Sequence, residues 1–566
     1  MSNVIAYADK PWLKSYDKDV PKTVSYENVC LPEFLERAAK EFPNNTALSF
    51  QGFHLSYRQL QDMTDRMATC LTDFGIKKGD RVAILLPNLI PCVAVYYAIL
   101  KIGGVVVMNN PMYSDKELEH QFNNSDSKVL ITLDLLANRM IDLRPKTHIK
   151  QIIYTSIGDY LPFPKSLLFP LVAKKKQLAA DVKAAPDVYK WKDMVAKYQP
   201  KPPQVKITFD DIAQLQYTGG TTGVSKGVVL THANLSKQVQ QINAWYPILN
   251  QNKGKEIFLG ALPYFHVFGL SCTMNFGIFL GDETILIPRP QPDPLVEAIT
   301  KYKPTFAALV PTMFIGILNH PKIKEIDLSG LKGTFSGSAP LPLEVIKAWE
   351  AKTGSAISEG FGMTESSPVT HMNPFVGNRK PGSIGLPIPN TECRIVDIEG
   401  NDKDMPVGES GEMLVRGPQV MREYWNMPQE TAQTLKGGWL HTGDIAKMDE
   451  EGYFYIVDRL KDMVISGGFN VYPREVDEVF YEHPKVEEAC AIGIPHKVRG
   501  ESIKVFVVLK KGQTATSDEL MDFCKQKLAT YKLPVAIEFR DQLPKSTVGK
   551  VLRKELRAEE MKKAQK

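Results

Sequence analysis

Residues Arg81 to Met108 read RVAILLPNLIPCVAVYYAILKIGGVVVM, and this stretch decides the fold class. Arg81 to Leu86 has the length and apolar content of a buried strand, and Ile90 to Ile102 those of a helix that stops at Gly103 and Gly104. Val105 to Met108 supplies a second short strand. Strand, helix and strand at this spacing predict a βαβ unit in a parallel sheet. The rhythm extends outward. Upstream, Leu31 to Phe42 has helical spacing at Phe34, Leu35, Ala38 and Ala39; downstream, Lys128 to Thr132 and Ile152 to Thr155 read as strands. Residues 158 to 205, rich in lysine and proline, read as an insertion before the sheet resumes at Ile212. Alternating units follow at Glu256 to Leu262, Thr284 to Ile287, Pro294 to Tyr302 and Phe306 to Val310. The class is α/β, with parallel or mixed sheets flanked by helices.

The texture changes after Tyr455. From Gly493 onward the units are smaller, with a strand at Lys504 to Leu509 and a helix opened by a Thr516–Glu519 capping box. That helix places Leu520, Phe523, Cys524 and Leu528 on one face. The expected organisation is a large N-terminal domain over 1–457, a polar charged hinge at 458–461, and a smaller α+β domain over 462–566. A chain of 566 residues supports roughly three to four folding units on length alone.

Composition narrows the function classes. A net charge of +5 from 69 basic and 64 acidic residues is small for this length, and no basic run is interleaved with aromatics, which argues against nucleic acid. Seven scattered cysteines without a CxxC pair favour free thiols in a reducing compartment. The opening MSNVIAYADKPWLK lacks the apolar core of a secretory signal, so cytoplasmic residence is expected. The nearest approach to a membrane segment is YLPFPKSLLFPLVAKKK, 160 to 176. It reads either as an insertion packed on the domain or as a surface resting on the inner face of a membrane. A homodimer is compatible with the chain.

The chemistry gathers at Tyr217 to Gly227, YTGGTTGVSKG. Glycines bring backbone N–H groups close to a ligand, hydroxyls serve phosphate or a cation, and the lysine adds charge. The inventory suits a polyphosphate, with a flexible surface turn as the alternative. It is neither a Walker loop, because Lys226 lies between Ser225 and Gly227, nor a GxGxxG fingerprint.

This loop, together with LPYFHVFGL (262–270), EGFGMTE (359–365), WLHTGD (439–444), DRLKDMVISGGFNVYP (458–473) and LPKSTVGKVLRKEL (543–556), resembles the adenylate-forming superfamily. The likeness runs from about residue 25 to near the end, and it is greatest to bacterial long-chain fatty-acid CoA ligases. It implies a two-step reaction: a fatty acid attacks ATP to give acyl-AMP and pyrophosphate, and CoA then displaces AMP. It implies Mg²⁺ bound by Thr218 and Glu365. It implies ATP or AMP contacts from Thr218, Gly219, Gly220, Thr221, Thr222, Gly223 and Lys226, and from Gly337, Ser338, Ala339 and Pro340. Further nucleotide contacts are implied from Glu359, Gly360, Phe361, Gly362, Met363 and Thr364, and from Asp444, Ile456, Arg459 and Lys550. Asp444 and Arg459 would serve the ribose. Phe361 stands where the family often has tyrosine. Lys550 would bridge acyl carboxylate and α-phosphate. His266 would line the junction of the acyl and CoA channels, with the helix carrying Trp245 and Tyr246 as a contributor to the acyl pocket; Leu270 offers no aromatic gate. Lys461 would be the hinge, and Ser466, Gly467, Gly468 and Phe469 would face CoA. Competing expectations are a ligase for medium-chain or aryl acids and, in another class, a non-catalytic acyl-nucleotide or lipid-binding protein.

Overall fold

The βαβ unit forms where the sequence places it. Arg81–Leu85 and Val105–Met108 are parallel neighbours, with Val82 aligned to Val106 and Ile84 to Met108, and the helix Ile90–Lys101 connects them. Val82, Ala83, Ile84 and Leu85 are fully buried, as is nearly all of that helix. Burial on both faces explains why these strands are continuous apolar runs without alternation. The structure, a computed structural model, describes residues 6–173, 176–218, 225–466, 469–496, 499–546 and 549–564. The chain divides into two units: a larger one of 15–391 with 416–435, and a smaller one of 1–14, 392–415 and 436–566.

The larger unit holds two sheets. One has the order Glu423–Tyr424, Lys226–Thr231, Ile212–Thr218, Val105–Met108, Arg81–Leu85, Ser127–Leu133, Gln151–Thr155, Val188–Lys190, and is parallel from Ile212–Thr218 to its far edge. The other runs Leu386–Pro387, Val369–Met372, Ile357–Gly362, Gly333–Ser336, Phe306–Leu309, Ile257–Gly260, Glu283–Leu286, Thr46–Phe50, Phe53–Ser56. Its centre is parallel and its two edges antiparallel. One expectation is corrected here. Residues 158 to 205 are more than an insertion, since Val188–Lys190 joins the first sheet as its edge strand and Trp191 on the next helix is fully buried. The helix that leads to Trp245 begins at His232, where Thr231 and Asn234 form a reciprocal capping box.

In the smaller unit, Trp439–Met448 pairs antiparallel with Phe454–Arg459 on one side and Gly411–Arg416 on the other. A second sheet is built from Val464–Ser466, Phe469–Val471, Gly500–Leu509, Val486–His496 and Ala536–Phe539. Val476, Phe480, Ala491, Val505, Leu520 and Cys524 form its core against the helices Pro473–Tyr481 and Ser517–Lys525. The predicted Thr516 cap is present, accepting from the Glu519 N–H. Glu519 sends its carboxylate to Lys485, 2.7 Å away. The expected boundary at Asp458 falls inside this unit. All seven cysteines are buried and free. Among the described residues, no helix is long and apolar enough to cross a membrane.

Candidate active site

In the larger unit the strands that flank the glycine-rich stretch pair antiparallel, with Thr218 directly opposite Lys226. Gly219, Gly220, Thr221, Thr222 and Gly223 lie outside the described residues, as do Gly467 and Gly468 of the expected CoA-facing turn. Lys226 extends its ammonium over the Tyr424 ring, 5.0 Å from the centroid. Tyr424 belongs to the two-residue strand that pairs with Lys226–Thr231, and its hydroxyl donates to Glu365 Oε1 at 2.7 Å. The N–H of Met421 donates to the Glu365 carbonyl at 2.7 Å. Burial, with the carboxylate beside it, keeps the Tyr424 phenol protonated far above its usual range. One tyrosine therefore ties the stem of the loop to the turn that carries Glu365. Sequence reasoning missed it; its immediate setting, Arg422-Glu423-Tyr424-Trp425, shows no pattern that separates it from an ordinary edge strand.

Glu365 is buried on the short turn Thr364–Ser366. A carboxylate and a threonine hydroxyl are hard oxygen donors, and two such protein ligands completed by phosphate oxygens fit Mg²⁺. Among the described residues, no cluster of three or more His, Cys, Asp or Glu forms a self-sufficient metal site.

The strand Ile357–Gly362 carries Glu359, Gly360, Phe361 and Gly362 to the edge of the parallel sheet, and Met363 and Thr364 continue into the Glu365 turn. Phe361 is half-buried opposite His371, with ring centroids 6.4 Å apart. Burial pushes the His371 imidazole down to about 3, so that ring is neutral. Gly337, Ser338, Ala339 and Pro340 leave the neighbouring strand Gly333–Ser336 as a turn, with Ser338 at φ 73°. His266 is held where the strand Ile257–Gly260 gives way to a loop. Buried Asn88 donates to the Gly260 and Leu262 carbonyls at 3.0 and 2.8 Å and accepts the Tyr264 N–H; Gln216 donates to the Phe265 carbonyl at 2.6 Å. His266 Nδ1 then accepts the Phe268 N–H at 3.2 Å. Leu270 opens a fully buried π-helix, Leu270–Asn275. Trp245 and Tyr246 are core residues: the indole donates to the Asn373 carbonyl at 3.1 Å, and Tyr246 packs edge-on against Phe306 and Phe375.

In the smaller unit the hairpin register makes Asp444 and Arg459 cross-strand partners, and Arg459 Nε lies 2.8 Å from Asp444 Oδ1. Ile456 sits on the same strand opposite Ala446. Asp444 is 2% exposed, and its Oδ2 has no hydrogen-bond partner among the described residues. Such an acceptor costs about 1–3 kcal/mol if left unsatisfied. It is a ready site for a hydroxyl donor.

Lys550 lies on a loop closed by the Ser546 N–H to the Lys550 carbonyl at 2.8 Å and by the Lys550 N–H to Ser546 Oγ at 3.1 Å, with Gly549 at φ +77° making the turn. Arg459 foremost, then desolvation, push the Lys550 ammonium down to about 8, while Asp444 opposes them. The side chain is exposed to water. Desolvation and Arg459 also depress Lys461. Asp444, Arg459, Lys461 and Lys550 thus form one electrostatic group. Ser466 is buried and pairs with Phe469, which is exposed and stacked on Tyr531 at 4.7 Å.

Two family models match the chain: AMP-binding enzyme over residues 35–425 and AMP-binding enzyme C-terminal domain over 475–550. The chain is 45% identical to the long-chain-fatty-acid–CoA ligase of Bacillus subtilis (strain 168), over 98% of both chains. It is 39% identical to the enzyme of the same name from Escherichia coli O6:H1, over 97% of this chain and 98% of that one. Among solved structures, the anthranilate CoA ligase AuaEII in complex with anthranoyl-AMP is similar with a TM-score of 0.83 and 25% identity, covering 99% of this chain and 100% of that one.

Proposed function

The chain belongs to the AMP-binding enzyme family, and from that membership we infer that it is a long-chain fatty-acid–CoA ligase with ATP and CoA as co-substrates. In the first step a carboxylate oxygen of the acid attacks the α-phosphorus of ATP, the bond to the bridging oxygen breaks, and pyrophosphate leaves. In the second the CoA sulfur attacks the acyl carbonyl carbon, its proton passes to solvent, and AMP departs. Positioning and charge stabilisation are the protein's part of such chemistry. The observation that carries the reading is the pairing, in one electrostatic group, of a buried carboxylate oxygen awaiting a donor on Asp444 with a cationic Lys550. The near full-length likeness to ligases named for long-chain acids supports the substrate class.

In this reading Asp444 Oδ2 accepts a ribose hydroxyl, Arg459 holds Oδ1 and reaches the same sugar, and Lys550 spans the acyl carboxylate and the α-phosphate. Glu365, oriented by Tyr424, and Thr218 hold Mg²⁺, which when bound neutralises phosphate charge. Phe361 offers its ring face to adenine, and Gly337 to Pro340 pass along the base. His266 lines the acyl–CoA junction. Lys461 is the point about which residues 462–566 turn, so that Ser466 and Phe469 serve the second step in place of Lys550. The protein works in the cytoplasm, peripherally at the inner membrane face, where a long-chain acid partitions by about 0.8 kcal/mol per buried CH₂. The decisive test measures AMP formation across saturated acids of increasing length and one aryl acid. Long chains are expected to give the highest kcat/KM. Preference for the aryl or shortest acids rejects the substrate class, and absence of pyrophosphate release with any acid rejects the ligase.

A further inference from the structure

We propose that the helix Lys165–Ala173, with Phe163 before it, is a docking face for an anionic phospholipid surface. The helix is seated from one side only. Phe169 packs onto Gly158 of the preceding turn, and Ala173, one turn on, is 1% exposed. The opposite arc carries Leu167, Leu168, Leu171 and Val172, which are 68%, 53%, 77% and 46% exposed, and Phe163 is 81% exposed. On a helix that faces water this arc is polar. Here it is entirely apolar, and a contiguous exposed patch of this kind marks an interaction site.

Charge selects the occupant. Residues 160–201 contain nine lysines and three aspartates, a net charge of +6 against +5 for the whole chain, so everything outside this segment sums to −1. Lys165 and Lys192 stand at the root of the helix, Lys165 Nζ donating to the Gln51 carbonyl at 3.3 Å and Lys192 Nζ lying 5.8 Å over the Tyr160 ring. Both side chains are exposed. Asp159, just before the segment, accepts from the Ser156 N–H and the Thr155 hydroxyl, and counting it still leaves residues 159–201 at +5. A second copy of the chain would bring the same positive segment against this one. An apolar arc with two lysines at its root, in a segment of net positive charge, instead matches the acyl–headgroup boundary of a negatively charged bilayer, in which a short amphipathic helix lies in the interface plane. Pro170 within the helix is compatible with that role, since the segment need not span anything.

The test uses the full chain and flotation with two kinds of vesicle, phosphatidylcholine alone and equal parts phosphatidylcholine and phosphatidylglycerol. The protein is expected to float with the anionic vesicles, weakly with the neutral ones, and less in high salt. Replacing Leu167→Ser and Leu171→Ser together is expected to lower partitioning at least about tenfold. The exposed position of both side chains predicts an unchanged thermal midpoint and unchanged turnover of a short, water-soluble acid without vesicles. A Lys165→Glu, Lys192→Glu variant keeps the apolar arc and is expected to lose the preference for anionic over neutral vesicles. Failure of the parent chain to float, or equal flotation of the leucine variant, overturns the proposal. So does vesicle-independent self-association that the leucine variant abolishes, which would make a second copy the occupant. Because the readout is flotation, these outcomes are independent of whether any acid is activated.

Discussion

Lys550 is a lysine whose charge is conditional. Its ammonium is pushed down to about 8, chiefly by Arg459, so the charge is present below that pH and lost as pH rises through it. If Lys550 stabilises the transferring α-phosphoryl group, kcat/KM for adenylation falls on the alkaline side with an apparent pKa near 8, since that ratio reports the free enzyme. Arg459→Gln removes the largest cause of the shift. Its adenylation is slower through the weakened ribose contact, and its alkaline limb is displaced upward; a limb that stays in place detaches Lys550 from the profile. Lys550→Ala is expected to abolish adenylation, by two or more orders of magnitude on the scale typical of a removed charge stabiliser. Thioester formation from supplied acyl-adenylate should largely survive, and equal loss of both half-reactions rejects the assignment. The types of residue at this site were legible in the sequence because each sits in a short motif. Tyr424 was not, because its role exists only across the sheet, where it meets Lys226 and Glu365 from distant parts of the chain.

The helix Arg553–Ala564 begins three residues after Lys550 and is fastened at both of its first turns. Arg553 Nη2 meets Asp477 Oδ2 at 2.5 Å on the helix Pro473–Tyr481. One turn later Arg557 donates to Asp462 Oδ1 at 3.0 Å, to the Lys461 carbonyl at 3.2 Å and to the Asp462 carbonyl at 3.0 Å. This element therefore couples the lysine loop to the expected hinge. Arg557→Ala frees the hinge backbone and is expected to slow adenylation several-fold more than thioester formation, with partial recovery in Arg557→Lys. Lys461→Pro fixes φ at the hinge and is expected to show the reverse pattern, slowing the second step more than the first. Separate single-turnover measurements of the two half-reactions check both variants; matching losses in each would remove the coupling. Elements differed in how plainly the sequence announced them. The buried parallel strands and the helix Ile90–Lys101 stand out as apolar runs. The long strand Val486–His496 does not, because it begins VEE and contains Pro495, residues that an edge strand tolerates and that hide its pattern.

At the scale of the whole molecule the smaller unit is assembled from three separated stretches of chain, the first of them the opening of the sequence. Trp12 explains why residues 6–14 belong to it. The side chain is 1% exposed and meets Phe454 edge-on with centroids 6.1 Å apart. Gly452, at φ +87°, approaches so closely that a Cβ there would lie 2.4 Å from the Trp12 Cα. Tyr7 is also buried, and Lys10 pairs with Glu392 at 2.7 Å. Nothing local marks this segment as core; its partners come from the far end of the sequence, so periodicity could not reveal it. The packing predicts that Trp12→Ala costs about 3–5 kcal/mol, the range for deleting a buried large aromatic. The loss should fall on the unit that carries Asp444, Arg459 and Lys550. Native-state hydrogen exchange checks this: protection is expected to drop across 392–415 and 436–566 and to hold in the parallel sheet around Val82 to Leu85 and Val105 to Met108. Adenylation should fall with the loss of the smaller unit, and Trp12→Phe, which keeps the edge-on contact with Phe454, should restore most of both. A uniform drop in protection over both units would mean that the opening segment stabilises the chain as a single cooperative body.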